Sequence, residues 1–304
     1  MHAPIEHIIA AVEYIESRLR DRLDLDAIAF HSTYSRFHFQ RLFHACVGFT
    51  VFEYIRRRRL SEAARALAHP KAPDERRIID VALDLGFGSH AGFTRGFREC
   101  FGVSPDEYRR RGGGPLYGIV EACTREQLAH LQRLQTNAGD EPEYAVRALN
   151  EIQLACGPGV GPHQAEILKA WGGFLRNHGR TGFAARKFAG LIEYAPVQND
   201  AIAFQYSPAI LLNESESEIS DAATLRTRTI PAGDYLICIH RGAVADLKRT
   251  FFYIYGPLLT KVKRNLRPSF ECDLEVYADS TADGPGFRSP DDPDNRIEIR
   301  VPLL

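Results

Sequence analysis

Ile78-Ile79-Asp80-Val81-Ala82-Leu83-Asp84-Leu85-Gly86-Phe87-Gly88-Ser89 is the stretch that decides the fold. With Arg77 before it, Ile78 to Asp84 has the apolar spacing of a short helix. Leu85-Gly86-Phe87-Gly88 ends that helix, since either glycine can take the positive φ a tight turn requires. Ser89 then offers a side chain to cap a second helix, His90 to Arg98, with Phe93 and Phe97 on its inner face and His90, Ala91, Thr94 and Arg95 turned outward. Ser104-Pro105-Asp106-Glu107 places an N-cap serine, a first-turn proline and a glutamate at the third position, which starts a closing helix. Helix, tight turn and outward-facing helix form one unit.

Working toward the N-terminus, the same unit recurs. Ile5, Ile8, Ile9, Val12, Ile15 and Leu19 describe an amphipathic helix, and Leu25, Ile28 and Ala29 a short one. A break at His31 and Ser32 follows. Tyr34 to Phe43 then has helical length, with Phe39, Leu42 and Phe43 inside and Arg36, Phe37, Gln40 and Arg41 on or beside the other face. Phe37 fits either a core or an outward position. Phe52 to Leu67 reads as one continuous helix joining the two units. It carries Arg56 to Arg59, whose side chains point in four directions, so bracing of the fold is favoured over a stripe facing a ligand, with one or two left for phosphate.

Composition bounds the rest. The chain has 304 residues and 44% hydrophobic content, enough for two cored domains. Residues 1 to 112 carry 18 Lys+Arg against 15 Asp+Glu, net +3, and the remainder 20 against 24, net −4. All but Lys71 of the N-terminal cations are arginine, the side chain suited to phosphate and guanine edges. No run of eighteen apolar residues and no basic leader followed by an apolar stretch occurs, so a cytoplasmic protein is expected. Cysteines 46, 100, 123, 156, 238 and 272 are scattered, never as Cys-x-x-Cys, and read as small buried hydrophobes rather than redox sensors. His38 and His90 lack partners at ligand spacing and read as neutral polar contacts, so neither a metal nor a cofactor is expected.

Gly112-Gly113-Gly114-Pro115 breaks the helical run. A DNA-binding-type helical domain over 1–112, a linker over 113–143 with a helix around Thr124 to Gln135, and a second domain over 144–304 are expected. In that last part Val146 to Ala155, Ala201 to Tyr206, Thr224 to Ile230, Tyr235 to His240, Asp273 to Tyr277 and Arg296 to Val301 read as strands, with helices at Ala165 to Asn177 and Val244 to Val262. The order repeats at an offset of roughly eighty residues, which suggests a duplicated α+β domain. The predicted architecture is an all-α double helix-turn-helix followed by that duplicated domain.

The first unit, Leu25 to Ala66, and above all the second, Ile78 to Ser89 through Phe101-Gly102-Val103-Ser104-Pro105-Asp106-Glu107-Tyr108-Arg109-Arg110, resemble the AraC/XylS family of transcription regulators. The resemblance implies two recognition helices entering successive major grooves, so that one monomer spans an asymmetric promoter site of about two turns, with half-sites ~34 Å apart. Carried over residue by residue, it implies DNA contacts from Arg36, Phe37, Gln40 and Arg41, and from His90, Ala91, Thr94 and Arg95. Gln40 would pair with adenine, Arg41 with guanine, Phe37 with a thymine methyl, and Arg95 with phosphate. The chain departs from some relatives in having Phe37 where they have tryptophan, and His90 and Ala91 where they have polar amides. This reading needs the outer faces of both helices to be free.

Residues 144–304 resemble the GyrI-like effector-binding domain through the duplicated order, Ile230-Pro231-Ala232-Gly233-Asp234-Tyr235, His240-Arg241-Gly242 and Leu274-Glu275-Val276-Tyr277. Period-two alternation puts Glu275 and Tyr277 on one sheet face. The resemblance implies a small-molecule effector, cationic or lipophilic, held at Glu275 within an aromatic cleft. Tyr277, Trp171, Tyr235 and Tyr255 are the candidate rings; Tyr255-Gly256-Pro257 stands where the family's usual tryptophan would be. The alternative is that Glu275 pairs with an arginine on a solvated face. A ligand-controlled regulator is thus the expected function, with promoter DNA, RNA polymerase and an effector as partners, no membrane, and a monomer or homodimer. The competing expectations are a hydrolase using Glu275 with a tyrosine and a ligand-independent architectural binder.

Overall fold

The computed structural model describes residues 4–30, 34–68, 77–114, 119–136, 141–161, 164–178, 187–196, 202–212, 225–267, 272–277 and 289–304. They form two packed units: Met1–Phe39 with Phe49–His130, and Gln40–Gly48 with Leu131–Leu304. The expected break at His31 and Ser32 lies outside the described residues.

In the first unit the helices are α1 (Pro4–Ser17), α2 (Leu25–Ala29), the start of α3 (Arg36–Val47), α4 (Val51–Ala68), α5 (Ile78–Asp84), α6 (His90–Phe101), α7 (Pro105–Arg110) and the start of α8 (Arg125–Thr136). The caps are those the sequence offers. The Ser89 hydroxyl accepts from the Gly92 amide at 3.1 Å and that of Ser104 from the Glu107 amide at 3.2 Å. Of the two turn glycines, Gly86 takes the positive φ, at 75°. One core joins Leu60, Ala63, Ala64 and Leu67 of α4 to Val81, Ala82, Phe93, Phe97, Phe101 and Tyr108. Its rings run as a ladder, Phe93 to Phe97 at 5.6 Å, Phe97 to Phe101 at 4.5 Å and Phe97 to Tyr108 at 5.3 Å. Burying each such ring contributes roughly 1.5–3 kcal/mol.

The run Arg56 to Arg59 is spent on bracing. Arg56 pairs with Glu99 at 2.6 Å, Arg57 with Glu53 at 3.1 Å, and Arg58 with Glu16 at 2.9 Å. Arg59 donates to the carbonyls of Leu19 at 2.7 Å, Asp21 at 2.5 Å and Gly86 at 3.2 Å, so it ties the α1 end to the α5–α6 turn.

The second unit is built on an eight-stranded antiparallel sheet in the order β1-β6-β8-β7-β3-β4-β2-β5. Its strands are β1 (Tyr144–Leu149), β2 (Ile152–Cys156), β3 (Phe188–Pro196), β4 (Ile202–Leu212), β5 (Arg226–Ile230), β6 (Gly233–Arg241), β7 (Asp273–Tyr277) and β8 (Arg296–Pro302). The order carries the expected duplication: β2-β4-β3 and β6-β8-β7 are matching halves that meet at β3–β7, and each outer edge is closed by the first strand of the other half. The stretch Val146 to Ala155 is two strands rather than one. Asn150 and Glu151 interrupt it, and β1 pairs with β6 whereas β2 pairs with β4 and β5. β3 was not anticipated as a strand.

Helix α9 (Gln164–His178) follows β2, and α10 (Leu247–Tyr253) and α11 (Leu259–Val262) follow β6. The single helix expected over Val244 to Val262 is divided by a wide turn at Ile254–Leu258 that contains Pro257. Proline has no amide to donate and its ring displaces the preceding carbonyl, so the helix widens there.

Candidate functional site

Two places gather the residues singled out by sequence. The first is the outer face of α6. His90, Ala91 and Arg95 are exposed and Thr94 half-buried, and with Arg98 and Glu99 they line one shallow depression. Among the described residues this face of α6 is therefore open.

The start of α3 matches the start of α6. Ser35 and Ser89 stand 54 positions apart, and each caps its helix by accepting an amide three residues on, from His38 at 3.3 Å and Gly92 at 3.1 Å. Arg36 is exposed and pairs with Asp26 at 3.2 Å, while Phe37 is half-buried. Gln40 and Arg41 correspond to Thr94 and Arg95, but here the expectation of an outward position is corrected: they are 2% and 3% exposed. The reason is local to the second unit, to which both belong. The Arg41 guanidinium stands 3.4 Å from the Asp273 carboxylate and over the rings of Tyr194, at 5.2 Å, and Tyr255, at 5.9 Å. In the same segment the His44 ring lies 4.4 Å from that of Phe204, and desolvation lowers its pKa to about 4.

The second place is the β3–β7 seam. Period-two alternation on β7 brings Asp273, Glu275 and Tyr277 to one face. Glu275 pairs in register with Gly190 of β3. The Tyr277 hydroxyl donates to Glu275 Oε2 at 2.7 Å and the Tyr206 hydroxyl to the same oxygen at 2.8 Å. Trp171 of α9 donates its indole N–H to the Tyr206 oxygen at 3.0 Å and sets its ring edge-on to Tyr277 at 5.3 Å. Glu275 is 5% exposed. Among the described residues it has no cationic partner, so the solvated arginine pair weighed from sequence is not the arrangement adopted. Burial raises its pKa, hydrogen bonds from Tyr277 and Tyr206 oppose the rise, and Asp273 adds to it. Burial likewise lifts the Tyr206 and Tyr277 hydroxyls well above the ordinary tyrosine value.

Of the four candidate rings, Tyr277 bonds Glu275 and Trp171 is linked to it through Tyr206; the other two are corrected. Tyr235 lies on the opposite sheet face, in the core with Leu274 and Val276, and its hydroxyl donates to the Pro231 carbonyl at 2.7 Å. Tyr255 is buried against Asp273, to which its hydroxyl donates, and stacks on Phe251. Tyr206, Gly190 and Asp273 were not singled out. Tyr206 ended a strand already recognised, and its alternation with Phe204 was the available signal. A methyl group at Gly190 would collide with the Tyr206 hydroxyl and come within 2.8 Å of Glu275 Oε2, so only glycine leaves room for this cluster.

Comparison with known proteins matches two separate parts of the chain. A helix-turn-helix domain model matches residues 28–111, and the integron-associated effector binding protein model matches residues 151–303. The chain is 44% identical over 96 residues to the HTH-type transcriptional activator AarP of Providencia stuartii, covering 32% of this chain and 68% of that protein. It is 26% identical over 297 residues to the transcriptional regulator Rob of Salmonella typhimurium, covering 95% of each. An integron cassette protein of Vibrio cholerae, of known structure, is similar over 53% of this chain and 95% of that one, at 12% identity and a TM-score of 0.37. No helix among the described residues is long and apolar enough to cross a membrane.

Proposed function

We propose, for a chain that belongs to the AraC/XylS family of transcription regulators and carries a GyrI-like effector-binding domain, that a lipophilic cation bound at Glu275 controls how α3 and α6 engage promoter DNA. The chain is a DNA-binding transcription regulator; the ligand class, the residues and the direction of control are the proposal.

One observation carries it. Glu275 is a buried carboxylate that two phenols bond, one of them held in turn by the Trp171 indole, and that no cation neutralises among the described residues. Charge buried without a counter-charge is expensive. A cation of low hydration supplies that charge, and Trp171, Tyr206 and Tyr277 supply ring faces to it. Entry displaces the Trp171 indole and gives up its bond to Tyr206.

DNA-reading roles are assigned to Arg36, Phe37, Gln40 and Arg41 on α3, and to His90, Ala91, Thr94 and Arg95 on α6. Residues 1–112 would form the DNA-binding domain, 113–143 a linker and 144–304 the effector domain, in a cytoplasmic monomer or homodimer that contacts RNA polymerase. Response to a ligand, not turnover, is the role of the C-terminal domain. A hydrolytic reading rests on the convergence of two tyrosine hydroxyls on one glutamate oxygen, and turnover of a strained electrophile lost in Glu275→Gln would favour it. The test of the main reading is direct. Trp171 is the only tryptophan, so tetraphenylphosphonium should change its fluorescence saturably in the wild type and not in Glu275→Gln; an equal response in both removes Glu275 from the site.

A further inference from the structure

The cluster around Glu275 has a neighbour on the same strand face. Asp273 is fully buried, and its carboxylate meets Arg41 and Tyr255, with the rings of Tyr194 and Tyr255 on the guanidinium. Carboxylate plus ring faces is the same chemistry as at Glu275, except that this site is filled. Its occupant is a side chain of the chain itself.

Two features make the occupant informative. Gln40 and Arg41 are buried although their counterparts Thr94 and Arg95, in an equally capped helix, are not. Burial is thus a property of this box and not of the helix motif. In addition, the hold on Arg41 is a buried ion pair, which apolar residues would match or better for stability. What such a pair offers is sensitivity to another charge. Asp273 and Glu275 are alternate residues of one strand, about 7 Å apart along it, and the Tyr194 hydroxyl, whose pKa burial raises, is pushed further up by both Asp273 and Glu275 and down by Arg41.

We propose that Asp273, Tyr194 and Tyr255 form a second cation site whose occupant is Arg41, and that a cation taken up at Glu275 repels and loosens that tether, freeing segment 40–48 for DNA. This rests on the reading of Glu275 as a cation site. Charges this close in a buried setting are weakly screened. An added positive charge beside Glu275 opposes the Arg41 guanidinium, while Arg41, once released, is the residue assigned to read guanine.

Hydrogen–deuterium exchange on the full chain tests it, with tetraphenylphosphonium as probe and Trp171 fluorescence reporting its binding. In the wild type, saturating probe should speed exchange across residues 40–48 by about tenfold or more, a tenfold change being 1.4 kcal/mol, and leave β6 and β8 unchanged. Asp273→Asn and Arg41→Gln should each produce the same acceleration without probe, and Glu275→Gln should show none with it. Bound probe with unchanged protection of 40–48 overturns the coupling while leaving Glu275 as the effector site. Unchanged protection in Asp273→Asn overturns the tether itself. Should the probe fail to bind, the effector reading falls and with it the coupling. If a variant loses protection in β6 and β8 as well, the wild-type measurement with probe decides.

Discussion

Tyr206 places its hydroxyl 2.8 Å from Glu275 Oε2, across a position in the neighbouring strand where only a glycine fits. The site is therefore defined as much by a missing side chain as by those present. Gly190→Ala should push Tyr206 off the carboxylate, destabilise the second unit by about 1–3 kcal/mol, as overpacking does, and weaken tetraphenylphosphonium binding at least tenfold. Thermal unfolding and Trp171 fluorescence titration measure the two effects; wild-type binding in the variant would mean that the Tyr206 contact is dispensable.

Much of this was legible in the chain. Gly86, Ser89, Ser104, Phe93 and Phe97 each do what local rules assign them, because turn geometry, capping and helical spacing are short-range. Alternation alone put Glu275 and Tyr277 on one face. β3 was missed for a physical reason: Ala189 and Leu191 are buried on one face and Ile192 and Tyr194 on the other, so Phe188 to Ile192 is an apolar run without alternation, and the charge that follows it, Glu193, is itself buried. The burial of Gln40 and Arg41 was equally out of reach. It depends on Asp273, more than two hundred residues away, and periodicity carries no information across that distance.

Protonation gives an independent handle on Glu275. Its pKa is raised above the ordinary 4.5, chiefly by burial, so the folded chain favours the neutral acid. The stability this contributes is fully present below the unfolded-chain pKa and is lost as pH rises through the folded value. Glu275→Gln, which stays neutral, should therefore gain stability over the wild type as pH climbs from about 4.5, in thermal melts across pH. A difference independent of pH would place no ionising cost at Glu275. Cation binding needs the ionised form, so wild-type affinity should rise over the same window.

Arg59 spans three carbonyls that no lysine could reach together. Arg59→Lys should destabilise the first unit by about 2 kcal/mol, in the range of lost hydrogen bonds to a charged group, and leave ligand binding by the second unit intact. Urea unfolding checks this; an unchanged midpoint would make the bracing ornamental.

The two recognition helices should fail differently when trimmed. Arg95→Ala, on the exposed α6 face, should weaken binding to all sequences alike and reduce the salt slope by about 1, as loss of a phosphate contact does. With saturating tetraphenylphosphonium present, so that Arg41 is released from Asp273, Arg41→Ala should cost about 1–3 kcal/mol at one base position and relax specificity there. Competition binding with single-base operator variants separates these; uniform weakening by Arg41→Ala would make Arg41 a phosphate contact.

Control of DNA binding by a cation at Glu275 is most directly measured as operator affinity at fixed salt, with and without saturating tetraphenylphosphonium, for the wild type and Glu275→Gln. The prediction is a probe-dependent change of at least fivefold, about 1 kcal/mol, in the wild type, with none in the variant and equal affinities for both proteins without probe. Wild-type affinity unmoved by bound probe, or moved equally in Glu275→Gln, would contradict it.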